Sequence, residues 1–358
     1  MIGRPRSIVA SALALAALTT WSATANASST LASSTLASST LAEIEKAWPN
    51  TAVAAAELKP AELVVYGPRH TPPPLDGPTF LPVDWAKHVA GLEPMITVEI
   101  GGEVRAYPMR IVASHAIIND ELGGVPIAVT YCRVCSAAMV FKRVVDGQVT
   151  RLSSTGVRYE NNSVYFDTET ETWWQQINGM ALAGNQKGGA LEIIPSKIES
   201  FAKFRTRHAG NSGVLVLNDS QRSTDTPLQA RLNLPQPHGQ GLPAGVDPLD
   251  RAVIVGDRAF TLELLRQEKR IEADDLVILW EPGRQAGPDA FAAGADEDVG
   301  NVTVYRRPAG DERRDLEADL TEQAYRVNLV HAFRDFTEKG EINFIPLSPP
   351  REEDDPTR

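Results

Sequence analysis

The strongest constraint on the fold is a series of short segments in which apolar and polar residues alternate and which end at tight turns. Residues 96–100 and 103–107 alternate in this way on either side of Gly101-Gly102, a pattern typical of a two-residue β-hairpin. The same reasoning predicts further strands at 126–131, 139–145, 148–152, 163–166, 172–176 and 214–217, and helices at 108–121 and 198–208. The sequence therefore predicts an α+β, β-rich fold, built from antiparallel hairpins with a few short helices.

The pattern recurs in weaker form near the C-terminus. Residues 251–261 repeat the strand, glycine turn and strand of 96–108. The apolar run 276–280 then stands where the first copy has the strand before its cysteines, and 302–307 matches 139–143. We interpret this as two degenerate related halves, the second of which lacks cysteine and serves as structural support. The alternative is that similarity over such short strands arises by chance.

The first 27 residues have the features of a secretory signal peptide. Arg4 and Arg6 supply the positive region, residues 8–18 an apolar run, and residues 25–27 (Ala-Asn-Ala) a cleavage site. The apolar run is too short for a membrane anchor and a polar segment follows it. The sequence therefore predicts an exported protein, periplasmic or extracellular, with no membrane span after cleavage.

The rest of the chain divides by composition into further segments. The spacer consists of three copies of Ser-Ser-Thr-Leu-Ala, a small-residue repeat that forms no packed unit. The predicted segments are a low-complexity spacer (28–42), an extended Pro-rich wrapping segment (43–95), an N-terminal core (96–217), a linker or long loop (218–248), a C-terminal half (249–347) and an acidic tail (348–358).

Charge and motifs exclude several classes of function. The net charge is −11, which argues against a nucleic-acid partner, since binding phosphates requires an excess of Lys and Arg on one face. The chain contains no phosphate-binding glycine loop, no Gly-x-Ser-x-Gly and no His-Glu-x-x-His. The expected partner is a metal or a small molecule.

The two cysteines of the chain, Cys132 and Cys135, lie two residues apart. Strand-like residues flank them on both sides, so the pair is predicted on a strand-to-strand turn, as in metal-binding knuckles. A redox pair of the thioredoxin type instead begins a helix, whose dipole lowers the pKa of one thiol. A third interpretation is a local, inert disulfide.

A metal site needs more ligands than two sulfurs. His115 lies on the predicted helix that precedes the cysteine strand, and Met139 follows Cys135 by four residues. Cys132, Cys135 and His115 are therefore the candidate metal ligands, with copper or zinc as the expected metal. The alternatives are that His115 is a partly buried, hydrogen-bonded histidine and that Met139 belongs to the core.

Trp173-Trp174-Gln175-Gln176 is the other prominent cluster. Alternation on a strand puts Trp174 and Gln176 on one face, where they would line a pocket near the cysteines. Tyr131 and Met139, which flank the cysteines, complete the predicted pocket. The ordinary alternative is one tryptophan in the core and one glutamine outside.

Several stretches resemble a known family. Residues 100–108 (Ile-Gly-Gly-Glu-Val-Arg-Ala-Tyr-Pro), 115–120 (His-Ala-Ile-Ile-Asn-Asp), 123–132 and 174–176 (Trp-Gln-Gln) are similar to a prokaryotic family known as domain of unknown function 3179. The resemblance covers roughly residues 75–217 in order and is looser beyond. It implies a shared fold and points to His115, Cys132, Cys135, Trp174 and Gln176, without carrying over a settled activity.

The chain departs from the family's Tyr-Cys-Pro-Leu-Cys-Gly signature at and around the cysteines. Arg133 replaces the proline and Ser136 replaces the glycine. Glycine after the second cysteine permits the positive φ of a tight turn, so Ser136 carries a small strain there. A metal site is correspondingly less well supported than in a chain with the full signature.

Three functions follow as hypotheses. The preferred one is an exported metal-binding protein, an enzyme or carrier, that uses copper or zinc. The second is a periplasmic thiol–disulfide oxidoreductase that uses the same cysteines. The third is a non-catalytic ligand-binding module with a structural disulfide.

The signal peptide gives the first testable prediction. Expressed with its own N-terminus in a secreting bacterium, the protein is expected to begin at Ser28, since Ala27 offers the small side chain required before the cleaved bond. Intact mass of the exported protein measures this. The Ala27→Arg variant is expected to stay uncleaved, and a wild-type protein that keeps residues 1–27 would contradict the prediction.

Overall fold

A computed structural model describes residues 41–218, 220, 241–288, 297–308, 320–337 and 340–344. The predicted signal peptide, most of the predicted spacer, most of the predicted linker and the predicted acidic tail lie outside the described residues. None of the described helices is long and apolar enough to cross a lipid bilayer.

The described elements are mostly short strands. The strands are β1 (Leu63–Val65), β2 (Leu75–Asp76), β3 (Phe80–Pro82), β4 (Pro94–Ile100), β5 (Glu103–Pro108), β6 (Ile117–Leu122), β7 (Val125–Cys132), β8 (Ala137–Lys142), β9 (Val144–Val145), β10 (Gln148–Val149), β11 (Leu152–Tyr159), β12 (Asn162–Asp167), β13 (Trp173–Gln175), β14 (Ala181–Ala183), β15 (Ser196–Ser200), β16 (Leu215–Leu217), β17 (Arg251–Val255), β18 (Arg258–Thr261), β19 (Arg270–Ala273), β20 (Leu276–Glu281), β21 (Asn301–Arg306), β22 (Thr321–Glu322), β23 (Arg326–Leu329) and β24 (Glu341–Asn343). The α-helices are α1 (41–47), α2 (Met109–His115), α3 (Phe201–His208), α4 (Leu262–Glu268) and α5 (Val330–Phe336), and 3₁₀ turns lie at Ala54–Ala56, Pro60–Glu62 and Val83–Trp85.

The prediction of a β-rich fold with a few short helices is confirmed. The larger sheets have the strand orders β15-β4-β5-β16-β3, β2-β6-β7-β8, β1-β11-β12-β13-β14, β23-β17-β18-β24 and β19-β20-β21-β22, and β9 pairs with β10. Together the larger sheets resemble a propeller-like arrangement. Residues 43–95 contribute β1, β2 and β3, each to the edge of a different sheet.

The prediction of one helix over 108–121 is wrong in its second part. Helix α2 ends at His115, Ala116 adopts a left-handed φ of 60°, and Ile117 begins β6, which pairs along β7. Ile117 and Ile118 are β-branched and fully buried, so they favour the extended conformation of a strand. Strand β7 supplies the hydrogen-bond partners for that strand. Residues buried on both faces of a strand show no alternation, which is why the segment looked helical.

The helix predicted over 198–208 begins three residues later than expected. Residues 196–200 form β15, which pairs with β4. The Ser200 side chain accepts a hydrogen bond from the Lys203 amide and so caps α3. A serine at this position satisfies one of the free amides of the first turn, which sets the start of the helix.

The hairpins β4–β5 and β17–β18 have the same arrangement of neighbours. β15 pairs antiparallel with β4 and β16 parallel with β5, while β23 pairs antiparallel with β17 and β24 parallel with β18. In each case a helix connects the two strands that flank the hairpin: α3 connects β15 to β16, and α5 connects β23 to β24. Each hairpin is followed by a second helix and a meander, α2 with β6–β8 and α4 with β19–β21. We refer to residues 94–217 as the N-terminal unit and to 251–343 as the C-terminal unit.

Equivalent hydrogen bonds fix the register of the two meanders. The Tyr131 amide donates to the Ala116 carbonyl over 3.0 Å, and the Trp280 amide donates to the Lys269 carbonyl over 2.8 Å. Ala116 and Lys269 each follow the last residue of a helix, with φ of 60° and 61°. Element order and register are therefore the same in both units over these strands.

One hydrophobic core joins the two units. The Tyr325 hydroxyl of the C-terminal unit lies within this core and donates to the carbonyls of Ile198 and Val302 over 3.2 and 2.8 Å. The core includes Ile96, Tyr107 and Val129 from the N-terminal unit and Val253, Ile278 and Val304 from the C-terminal unit.

The shared core predicts a single cooperative transition. Ile278→Ala is expected to lower the free energy of unfolding by about 2–5 kcal/mol, because it removes buried methylenes and leaves a cavity. Denaturant unfolding followed by circular dichroism and tryptophan fluorescence measures this. Ile193→Ala, at a position 46% exposed, is the control and should change the stability by less than about 1 kcal/mol. Two separate transitions in the Ile278 variant would contradict a shared core.

Candidate functional site

The cysteines lie in the turn between β7 and β8, residues 132–136, which we call the cysteine turn. The two sulfurs are at disulfide distance and the Cα atoms are 5.4 Å apart. Both cysteines are fully buried. Ser136 has a φ of 51°, a left-handed backbone that glycine adopts more readily than serine does.

A buried polar network fastens the cysteine turn to the neighbouring sheet. Asn162 Nδ2 donates to Cys135 Sγ over 3.0 Å and to Gln176 Oε1 over 3.3 Å. Gln176 Nε2 donates to Thr130 Oγ1 over 3.2 Å and to the Ala137 carbonyl over 2.9 Å. Gln176 therefore ties β13 to both strands that flank the cysteines.

The C-terminal unit holds the other side of the cysteine turn. The Leu329 amide donates to the Cys135 carbonyl over 2.8 Å, and His331 Nε2 lies 3.3 Å from the Val134 carbonyl oxygen. Ala332 belongs to the same buried apolar cluster as both cysteines. The histidine in hydrogen-bond contact with the turn is thus His331, and no spacing to the cysteines in the sequence points to it.

His115 is the last residue of α2 and faces the Pro-rich segment. Its Nδ1 lies 3.1 Å from the Pro73 carbonyl oxygen, and the residue is largely buried. Within the described part of the chain, no group of three or more His, Cys, Asp or Glu side chains is placed to hold a metal ion. Among the described residues, Cys132 and Cys135 therefore have no third His, Cys, Asp or Glu side chain placed to share a metal ion with them.

Of the predicted pocket residues, Trp174 and Met139 belong to one buried cluster. Trp174 Nε1 donates to Asp167 Oδ2 over 3.0 Å, which uses its polar atom inside the core. Tyr131 instead lines a small cavity beside the cysteine turn, whereas Trp174, Gln176 and Met139 are not among its lining residues.

This cavity lies between the cysteine turn, the end of α2 and the β11–β12 ladder. Its free volume is about 20 Å³, room for about one water molecule. Hydroxyl and guanidinium groups line it, and its lining includes no acidic side chain from the described part of the chain. Its lining residues include Tyr66, Ala116, Tyr131, Arg133, Arg158 and Ser163.

Arg158 is the unusual residue of the cavity. It is 3% exposed, and its Nε and Nη2 have no hydrogen-bond partner among the described residues. Burial lowers the pKa of Arg158 to about 10, so the side chain is still charged at neutral pH. Burial also raises the pKa of the nearby Tyr66 phenol, which stays a neutral hydroxyl. A buried positive charge thus lies at the cavity, and none of the described acidic side chains pairs with it.

A second, larger groove of about 300 Å³ lies along β4 and β15. Its charged groups are paired: Arg207 with Glu199 and Lys197 with Glu322. Thr97 donates to Glu199 as well, over 3.0 Å. Because these charges satisfy one another, the groove gives less reason to expect a ligand than the cavity at Arg158 does.

Comparisons with known proteins give one family. No curated protein and no solved structure matches the chain. The family model described as "Protein of unknown function (DUF3179)" matches residues 70–339, which include the cysteine turn, Arg158, the whole N-terminal unit and the C-terminal unit up to residue 339. The chain therefore belongs to the DUF3179 family.

Proposed function

We propose that the protein is an exported, non-catalytic module that binds a small ligand in the cavity beside the cysteine turn, with Cys132–Cys135 as a structural disulfide. One observation carries this proposal: the turn that holds the two buried sulfurs forms a wall of a cavity lined by Arg158, whose Nε and Nη2 have no hydrogen-bond partner among the described residues. Buried polar groups are normally hydrogen-bonded, and an exception calls for a role.

The geometry supports this function better than the other two hypotheses. Thiol–disulfide exchange requires a thiolate to reach one sulfur, and both sulfurs are buried and packed under α5. Metal binding requires further ligands, and the described residues supply no such group. Export agrees with a disulfide role, since disulfides persist in oxidising compartments; it is proposed from residues 1–27 of the sequence.

We further propose that the two units are related halves, as the sequence pattern suggested. The matching strand neighbours and the matching amide bonds of Tyr131 and Trp280 support this. In this relation the C-terminal unit supplies support through Leu329 and His331, which contact the cysteine turn. The ligand site belongs to the N-terminal unit.

A structural disulfide predicts slow reduction in the native state. Incubation of the folded protein with dithiothreitol is expected to leave Cys132 and Cys135 unlabelled by iodoacetamide, because their sulfurs are out of reach of the reductant. Mass spectrometry counts the added labels. The same treatment in denaturant is the control and should label both. Rapid labelling of the folded protein would instead support thiol–disulfide chemistry.

Removal of the bridge predicts a loss of stability and no loss of metal. The double variant Cys132→Ala/Cys135→Ala is expected to lower the free energy of unfolding by about 2 kcal/mol, the contribution of a short closed loop. Elemental analysis of both purified proteins should give equal zinc and copper contents. Stoichiometric metal in the wild type that disappears in the double variant would contradict this function and restore the metal hypothesis.

A further inference from the structure

We propose that residues 66–73 form a strap that closes the cavity beside the cysteine turn, and that His70 latches this strap at neutral pH and releases it in weak acid. The inference rests on the proposed function, since it concerns the access of a ligand to the same cavity. Its basis is the position of His70, whose side chain is bonded to β11 and lies close to two arginines.

The strap is the least regular wall of the cavity. The other walls are the cysteine turn, which both units hold, the end of α2 and the β11–β12 ladder. The strap contributes Tyr66 and Pro72 to the lining and belongs to no helix or strand. The closed cavity has room for about one water molecule, so a larger ligand enters only if a wall moves. The strap is the wall that moves without disrupting a sheet.

Three backbone amides of the strap donate to β11. The amides of Tyr66 and Gly67 donate to the Gly156 carbonyl over 2.9 and 3.3 Å, and the His70 amide donates to the Ser154 carbonyl over 2.8 Å. The Tyr66 and Ser154 hydroxyls lie 2.8 Å apart. Gly156 has a φ of 76°, and a Cβ there would clash with the Gly67 carbonyl. The closed strap therefore lies directly against the backbone of β11.

The His70 side chain adds the latch. Its Nδ1 lies 2.6 Å from Ser153 Oγ, and its ring packs against Phe166 with a distance of 5.2 Å between the ring centroids. His70 has a φ of 63°, a left-handed backbone that costs energy in residues other than glycine. The contacts of the imidazole therefore help to hold a backbone conformation that a free chain seldom adopts.

The charges around His70 oppose a further positive charge. Arg69 precedes His70 in the strap and Arg151 precedes β11, and both act on the imidazole electrostatically. Their carboxylate partners are Glu171, 2.5 Å from Arg69, and Asp76, 2.7 Å from Arg151. Among the described residues no carboxylate forms an ion pair with His70 itself. The charged side chains of the neighbouring elements are Arg69, Asp76, Arg151, Glu169 and Glu171.

The sign of the pH effect follows from these surroundings. Burial and then the two arginines lower the pKa of His70 from the usual 6.5. A histidine released from these contacts regains a pKa of about 6.5. The closed strap thus binds the proton less readily than the open strap does, and acidification below about pH 6.5 favours opening. Above that pH the imidazole is neutral in both states, and the latch has its full strength.

Hydrogen–deuterium exchange of the strap tests the latch. Peptides covering residues 66–73 are measured by mass spectrometry between about pH 7.5 and pH 5, with the rates corrected for the effect of pH on unprotected amides. The opening constant of the strap is expected to rise as the pH falls, by at most about tenfold per pH unit, the limit for one proton. The amides of β7 should stay protected. Unchanged protection of the strap over this range overturns the proposal.

Two variants assign the effect, and a third is the control. His70→Asn removes the titrating group and keeps a residue that tolerates the left-handed backbone, so its opening constant should not rise in acid. Ser153→Ala removes the partner of Nδ1 and should raise the opening constant at neutral pH by about three- to tenfold, the effect of one lost hydrogen bond. His88→Asn, at an exposed histidine outside the strap, should behave as the wild type does.

The other outcomes overturn defined parts of the proposal. An equal rise in acid in His70→Asn overturns the assignment of His70, and an unchanged opening constant in Ser153→Ala overturns the latch contact. Loss of protection in β7 together with the strap means that the whole chain unfolds in acid, which overturns a local latch. The exchange is measured without ligand, so its failure leaves the proposed function to the labelling and metal experiments.

Discussion

In each unit, the backbone amide at the start of one helix donates a hydrogen bond to the other unit. In the C-terminal unit, the Leu329 amide at the start of α5 donates to the Cys135 carbonyl, and in the N-terminal unit the Ser200 amide at the start of α3 donates to Asn301 Oδ1 over 2.7 Å. Both acceptors lie at the connection between the last two strands of a meander. A buried amide or carbonyl group needs a hydrogen-bond partner. These groups find theirs only when the two units are folded against each other. The cysteine turn therefore depends on residues about two hundred positions later in the chain.

Local sequence determined the hairpins but not the ends of the helices. Gly101-Gly102 has positive φ at both positions, which only glycine adopts freely, so the turn was readable from the residues alone. The boundary at Ala116 was not, because the strand that follows it forms only when β7 lies alongside. Where a segment is buried on all sides, the period of its apolar residues no longer distinguishes helix from strand. Pairing with another strand then determines whether the segment is helix or strand.

The candidate site likewise has features that the local sequence predicts and features that it does not. The cysteine turn and its flanking strands follow from local pattern, and the structure has them. The partners of the turn do not, since His331 reaches it from 197 residues away and His115 contacts Pro73 instead. Arg158 gave no signal in the sequence either. No strand predicted from the sequence includes Arg158, and only the tertiary structure shows that its side chain is buried.

The disulfide and the cavity are formed by the same turn. Arg133 and Val134 stand between the two cysteines, and both line the cavity. A bridge across two intervening residues contributes little to linking distant parts of the chain, but it restricts the backbone of those two residues. Asn162 and Gln176 hold the turn from one side and Leu329 from the other, so hydrogen bonds from both units fix the backbone that forms this cavity wall. The same wall lies beside the buried guanidinium of Arg158. The geometry of the cavity therefore depends on contacts that reach the cysteine turn from both units.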